Sequence, residues 1–199
     1  MAQENEKELQ QLKNRFHDLA ERSHAQGVFT FTGFLGLSDQ EVFWQEEPGL
    51  RYAGYTLYGG CDQADRVVAR FGDSRELGYE TDFPVVCIHI APLAEKFADK
   101  LTHRDFLGAL MNLGIERSTV GDIRAGGKQA YLFCLDSVAS FICDNLIQVK
   151  HTRVRCSVTE DFQDILQEEP ETVNIQVQSL RVDAVISRVS NFSREKSLA

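Results

Sequence analysis

The sequence predicts an α+β fold: two small α+β domains, each an antiparallel or mixed sheet covered by helices, followed by the start of a further module. Three observations carry this. Residues 101–123 read as a capped helix running into a strand, residues 120–158 continue as strand pair, helix and strand, and an acidic run over 160–171 separates them from the last segment of the chain. Such an order of elements gives an antiparallel or mixed sheet covered by helices, with at least two apolar helix faces to bury. The expected boundaries are an amino-terminal domain over 1–95, a middle domain over 96–171 and a third segment over 172–199.

In chain order, residues 4–25 set Leu9, Leu12, Phe16 and Leu19 at helical intervals between charges, an amphipathic helix docked on the domain and ended by Gly27. Ser38 with Glu41 forms a capping box opening a second helix through Trp44, closed by Pro48 and Gly49. Residues 52–58 read as a strand. Gly59 and Gly60 turn the chain into a short helix over 61–71, and residues 83–90 give a second strand bounded by Pro84 and Pro92.

The helix after residue 101 is the best punctuated. Thr102 is its expected N-cap, accepting from the N–H of Asp105, and Gly114 supplies a left-handed stop. Phe106, Leu107, Leu110 and Met111 form one apolar face, and Arg104, Gly108 and Asn112 take the other. Burying four such side chains is worth roughly 1.5–3 kcal/mol each before entropy, which places this helix against a sheet. Strands over 120–123 and 129–135 join around Gly126 and Gly127. Asp136 then caps a helix carrying Val138, Phe141, Ile142, Leu146 and Val149, and a strand starts at Val154. The run 160–171 holds six acids and no base, so it reads as a solvated linker with a helical turn around Phe162 and Ile165, before a short strand over 173–177.

Composition bounds the function. A chain of 199 residues with 43% apolar and 26% charged content is an ordinary globular sequence of one or two domains. No stretch is apolar enough for a membrane span, and the acidic, polar first residues resemble neither a signal peptide nor a transit peptide, so a cytoplasmic location is expected. The five cysteines are odd in number and never stand at C-x-x-C spacing, which signals neither a disulfide framework nor a zinc site; they read as buried small hydrophobes. No metal or organic cofactor is expected. The net charge of −9 argues against nucleic acid until its distribution is counted. Residues 1–100 hold 10 bases against 17 acids, whereas residues 101–156 hold 7 against 5.

Several catalytic patterns are approached and missed. His103-Arg104-Asp105 spells the start of a kinase catalytic loop, but Leu110 stands where the metal-binding Asn belongs and no glycine-rich loop or D-F-G accompanies it. From Gly121 a phosphate loop fails because Gly127 takes the place of its Lys and Gln129 that of its Ser or Thr. A tight turn is the simpler reading of Gly59-Gly60 than a phosphate cradle.

The run T-H-R-D-F-L-G-A-L-M-N-L-G-I-E-R-S-T-V-G-D-I over 102–123 resembles the signature of the YlmH family of bacterial S4-domain RNA-binding proteins, nearly without interruption. A second match, Gly59-Gly60-Cys61-Asp62-Gln63-Ala64-Asp65-Arg66, departs from the family at Cys61 and Asp65 and agrees at Arg66. Near the carboxyl end, Arg181, Asp183, Ser193 and Arg194 stand where an S4 domain has them, with Val182 and Ser197 as departures, and the sequence stops at Ala199 before that domain would be complete. The resemblance implies an RRM-like amino-terminal domain and a truncated S4 domain over 172–199. It further implies a non-catalytic, ribosome-associated RNA-binding protein, acting on large-subunit rRNA and peptidyl-tRNA in quality control of stalled translation, expected as a monomer without membrane contact. The residues it marks for RNA are Arg181, Ser193, Arg194, Lys196 and Arg66, with Arg104, Arg117, Arg124 and Lys128 of the middle domain as secondary candidates. An RNA-modifying enzyme docking through an S4 module is the alternative. Asp183 lacks the turn that follows the catalytic Asp of pseudouridine synthases, and no nucleophile, base and orienter set is legible. A protein-interaction scaffold is the third reading, argued from the acidic first hundred residues.

Overall fold

The structure, a computed structural model, describes residues 2–162, 175–177 and 181–190. The chain divides into two compact units, Met1–Gln167 and Glu168–Ala199.

The first unit is built on two antiparallel sheets. Helix α1 (Ala2–Gln26) stops at Gly27, whose φ of +66° only glycine adopts without strain. It is followed by β1 (Thr30–Leu35), α2 (Leu37–Leu50), β2 (Tyr55–Tyr58) and β3 (Val67–Phe71), and the three strands pair in the order β1-β3-β2. One face of this sheet carries α1 and α2 over a core of Phe16, Ala20, Phe43, Leu50 and Phe71, with Leu12 and Leu19 packed at its margin. Leu9, on the expected apolar stripe, is 41% exposed, so the helix docks by its second half.

A single-turn helix α3 (Ser74–Leu77) precedes the second sheet, with Asp73 accepting from the N–H of Arg75 at 2.8 Å. The second sheet comprises β4 (Val85–Pro92), β5 (Val120–Gly126), β6 (Gln129–Leu135), β7 (Gln148–Val149) and β8 (Thr152–Thr159), ordered β5-β6-β4-β8-β7. Helices α4 (His103–Asn112) and α5 (Asp136–Asn145) lie on one face, burying Ile88, Ile90, Phe106, Leu110, Leu132 and Ile142 between them. Without the short β7, the connectivity is β4-α4-β5-β6-α5-β8, a βαββαβ unit with the first and third strands at its centre.

The cap of α4 differs in detail from expectation. The Asp105 carboxylate accepts both the N–H and the hydroxyl of Thr102, each at 2.8 Å, and Lys150 pairs with its other oxygen at 2.8 Å. Gly114, at φ +76°, ends the helix as expected. The Asp105 that a kinase would use as a base is a helix cap here.

Five expectations are corrected. Residues 61–71 are not helical: 61–66 form a loop with Gln63 at φ +61°, and 67–71 are β3, where Val67 and Val68 suit a strand. The box opening α2 lies earlier, with Asp39 accepting the N–H of Gly36 at 2.9 Å, and the helix runs through Pro48 to the fully buried Leu50. The strand over 83–90, expected within an amino-terminal domain ending at 95, is β4 at the centre of the second sheet, paired on both sides. Asp136 is the first residue of α5, with no side-chain cap at its start. Of the expected strand over 173–177, residues 175–177 are described and carry no regular structure.

The two sheets share a small third core of Phe34, Cys61, Val68, Cys87 and Phe133. Glycines set the closeness of this contact. A Cβ on Gly60 would lie 2.2 Å from the Phe133 ring, and one on Gly121 would lie 2.5 Å from that of Phe34.

In the second unit, α6 (Val182–Ser190) is described, with the N–H groups of Ala184 and Val185 donating to the carbonyl of Arg181.

Candidate nucleic-acid interface

Strand alternation sends residues of opposite parity to opposite faces. In the second sheet Ile88, Ile90, Leu132, Cys134 and Val154 point to the helices, so the helix-free face takes Cys87, His89 and Ala91 of β4, Tyr131 and Phe133 of β6, and Arg153, Arg155 and Ser157 of β8. The first sheet and Phe162 cover the Phe133 end, where the two rings meet edge to face at 5.2 Å. The other end is left half-open.

On that open end Arg124, Tyr131, His89 and Ser157 stand opposite one another on four neighbouring strands. The His89 and Tyr131 rings stack, 4.6 Å between centroids and 20° from parallel, and Nε2–H of His89 donates to Oε1 of Gln129 at 3.0 Å. Arg153 and Arg155 are exposed on β8, and among the described residues neither is held in an ion pair. No carboxylate occupies an outward position of β4, β6 or β8.

The residues marked for RNA in the sequence divide by location. Arg66 is spent on the fold: its guanidinium donates to the carbonyls of Val120 at 2.9 Å, Phe34 at 3.0 Å and Arg117 at 3.1 Å. Burial, and then the nearby Arg117 charge, pull its pKa down. Arg117 donates to the carbonyl of Val120, and burial lowers its pKa too. Arg124 lies on the sheet face, with one nitrogen donating to the carbonyl of Gln63 at 2.9 Å and to Asp122 at 3.2 Å. Lys128 stands at the β5–β6 hairpin and donates to the carbonyl of Glu95 at 2.6 Å. Arg104 is exposed on α4, beside a groove lined by Asn112, Gln148 and Lys150 on the far side of the sheet from His89. Arg181 precedes α6 in the second unit. Ser193, Arg194 and Lys196 lie outside the described residues.

Sequence reasoning missed His89, Tyr131, Arg153 and Arg155. The signal was present as a period of two: Cys87, His89 and Ala91 alternate with Ile88 and Ile90, and Gln129, Tyr131 and Phe133 with Ala130 and Leu132. Read as an unbroken apolar run, β4 conceals its outward histidine.

The cysteines stay free thiols: Cys61, Cys87 and Cys134 are buried, Cys143 and Cys156 partly so. Among the described residues no group of three His, Cys, Asp or Glu side chains could hold a metal ion, and no helix is long and apolar enough to cross a membrane.

A βαββαβ sheet with helices behind it and aromatic rings on its two central strands has the architecture of RNA-recognition modules. Comparison with known proteins agrees with that class. Residues 79–164, which enclose the whole unit, match the family model described as "Putative RNA-binding domain in YlmH". The chain is 32% identical over 168 residues to the ribosome-associated protein quality control protein P2 of Bacillus subtilis (strain 168), an alignment covering 83% of this chain and 64% of that protein. A solved structure described as cell division protein ylmH from Streptococcus pneumoniae shares the fold, with a TM-score of 0.57 at 17% identity over 76% of this chain and 91% of that one. Residues 79–164 are thus similar to the RNA-binding domain of the YlmH family, and the chain spans 64% of the length of its curated relative.

Proposed function

We propose that this protein is a non-catalytic RNA-binding factor that associates with the ribosome, contacting large-subunit rRNA and the tRNA held there in quality control of stalled translation. The observation that carries the RNA reading is the helix-free half of the second sheet, lying within the segment matched by an RNA-binding family model. There a chain with net charge −9 sets arginines and stacked rings on three strands whose outward positions hold no carboxylate. The ribosomal reading is supported by the name of the B. subtilis relative. Arg124, Lys128, Arg153 and Arg155 supply phosphate contacts from the first unit, and Arg181, Ser193, Arg194 and Lys196 from the second, with Arg104 as an outlying cation. Arg66 and Arg117 serve by fixing the sheets.

The test is co-sedimentation of the chain with purified large ribosomal subunits across a salt series. Binding should weaken as salt rises, with a log–log slope of about one unit per neutralised phosphate. Arg153→Glu with Arg155→Glu should lower the affinity and flatten that slope. Absence of co-sedimentation at low salt would overturn the proposal.

A further inference from the structure

We infer that the open end of the second sheet is a seat for an unpaired RNA base, stacked on the outer face of His89 above Ser157, with the adjoining phosphates on Arg155 and Arg153. This rests on reading that face as the RNA site and goes further, naming the class of RNA and the side chains that take each part of it.

The geometry points this way in three steps. His89 and Tyr131 face each other across the ladder and stack near-parallel at 4.6 Å, so each ring covers one face of the other and the pair stands on edge above the sheet. The outer face of the imidazole therefore turns toward β8. Directly opposite His89 on β8 is Ser157, exposed and too small to fill that side, and two pairs further along, on the same face, Ala91 stands opposite Arg155. The floor beside the imidazole is thus a shelf of small side chains, open to solvent and bounded by a cation.

The charges continue the path. Arg153, Arg155 and Ser157 alternate along the outward face of β8, so the two guanidiniums start about 7 Å apart on the strand, a spacing comparable to that between successive phosphates of an extended strand. β7 pairs with Thr152 and Arg153 and the carbonyl of Ile147 accepts the N–H of Val154, so no strand pairs with the outer edge of β8 at Arg155 and Ser157. A base stacks on an aromatic face whatever its identity, and such a face is reached only by a base that is not already paired and stacked within a duplex. The occupant is therefore a single-stranded segment, a loop or a bulge.

The experiment measures fluorescence anisotropy of labelled oligouridine and of a labelled RNA duplex of equal length, with the large-subunit co-sedimentation run in parallel. The wild-type chain should prefer the oligouridine. His89→Ala should weaken that binding at least about fivefold, the lower end of what a base–aromatic stack contributes. His89→Phe should retain it, and Ser157→Phe, which fills the shelf from an exposed position, should weaken it as His89→Ala does, all with unchanged melting curves. Equal affinity of wild type and His89→Ala, retention of affinity by Ser157→Phe, or preference for the duplex would overturn the inference. If the chain co-sediments with subunits yet shows no affinity for oligouridine, the base seat is wrong and the ribosomal reading stands. If it does neither, both fall.

Discussion

Asp122 on β5 and Arg66 before β3 hold each other by main chain and side chain at once. The Asp122 carboxylate accepts the backbone N–H groups of Asp65 at 2.9 Å and Arg66 at 3.1 Å, while the Arg66 guanidinium returns to the carbonyl of Val120, two residues before Asp122. The loop between β2 and β3 is thereby fastened to the edge of the other sheet, and one arginine links carbonyls from β1, β5 and the turn before β5. This clasp joins the two sheets beside the core they share around Phe34 and Phe133.

Asp122→Ala removes the acceptor of hydrogen bonds to a charged group, each worth about 1.5–3 kcal/mol. Loss of about that much in total, a fall of roughly 3–12 °C in Tm for a unit of this size, is expected in thermal denaturation. Arg66→Lys should be nearly as damaging as Arg66→Ala, because one ammonium cannot reproduce the guanidinium fork that reaches three carbonyls. A lysine variant with wild-type Tm would refute the clasp.

Gly60 tests the contact between the sheets. At φ +99°, with the Phe133 ring 2.2 Å from where a Cβ would stand, Gly60→Ala meets both backbone strain and overlap. A loss of about 2–4 kcal/mol is expected in urea denaturation, combining roughly 1–3 kcal/mol for each effect with partial relaxation. Gly127→Ala, also at positive φ but in open space at the hairpin, should cost less.

Asp105 gives the stability a pH dependence. Its hydrogen bond with Lys150, then those with Thr102, lower its pKa from 3.8 to about 2. A depressed carboxylate pKa contributes stability that is fully present above the unfolded value and lost as pH falls through the folded one. Between about pH 4 and pH 2 the wild type should therefore lose stability more steeply than Asp105→Asn, which should already be less stable at neutral pH. Parallel curves from calorimetric melts across that range would show that the cap is not made.

The thiols should resist modification. Burial pushes the pKa of Cys87, Cys134 and Cys156 up to about 12, and raises those of Cys61 and Cys143 as well, so little reactive thiolate exists near neutrality. Mass spectrometry after iodoacetamide treatment at pH 8 should find the native chain largely unmodified and the urea-unfolded chain fully alkylated. Rapid alkylation of Cys87 in the native protein would contradict the burial described.

Local signals made the second sheet readable. Thr102 and Gly114 punctuate α4, Gly126 and Gly127 mark the hairpin, and Val138 and Ile142 repeat at helical spacing, so the main elements after residue 101 declare themselves from their own neighbourhood, whereas α5 ends at Asn145 and Val149, read as helical, lies in the short β7. The first sheet depended on contacts the sequence does not display. Gly33 interrupts the strand pattern of β1 because a Cβ there would lie 2.8 Å from the carbonyl of Ser118, and the loop before β3 is fastened by Asp122, more than fifty positions away. Arg66 was legible as important through its motif but not as structural, since its partners are main-chain carbonyls. The outward face of β4 and β6 was open to inspection through alternation alone, and became visible as a site once strand order set His89 beside Tyr131.

The central claim is that RNA lies on the helix-free face of the second sheet. Amide shift mapping by NMR tests it most directly, on isotopically labelled protein titrated with a single-stranded segment of large-subunit rRNA. The account predicts that the largest changes fall on β4, β6 and β8 around His89, Tyr131, Arg155 and Ser157, with α4 and α5 little affected. Changes confined to α1 and α2, or to the second unit, with His89 and Tyr131 unmoved, would contradict it.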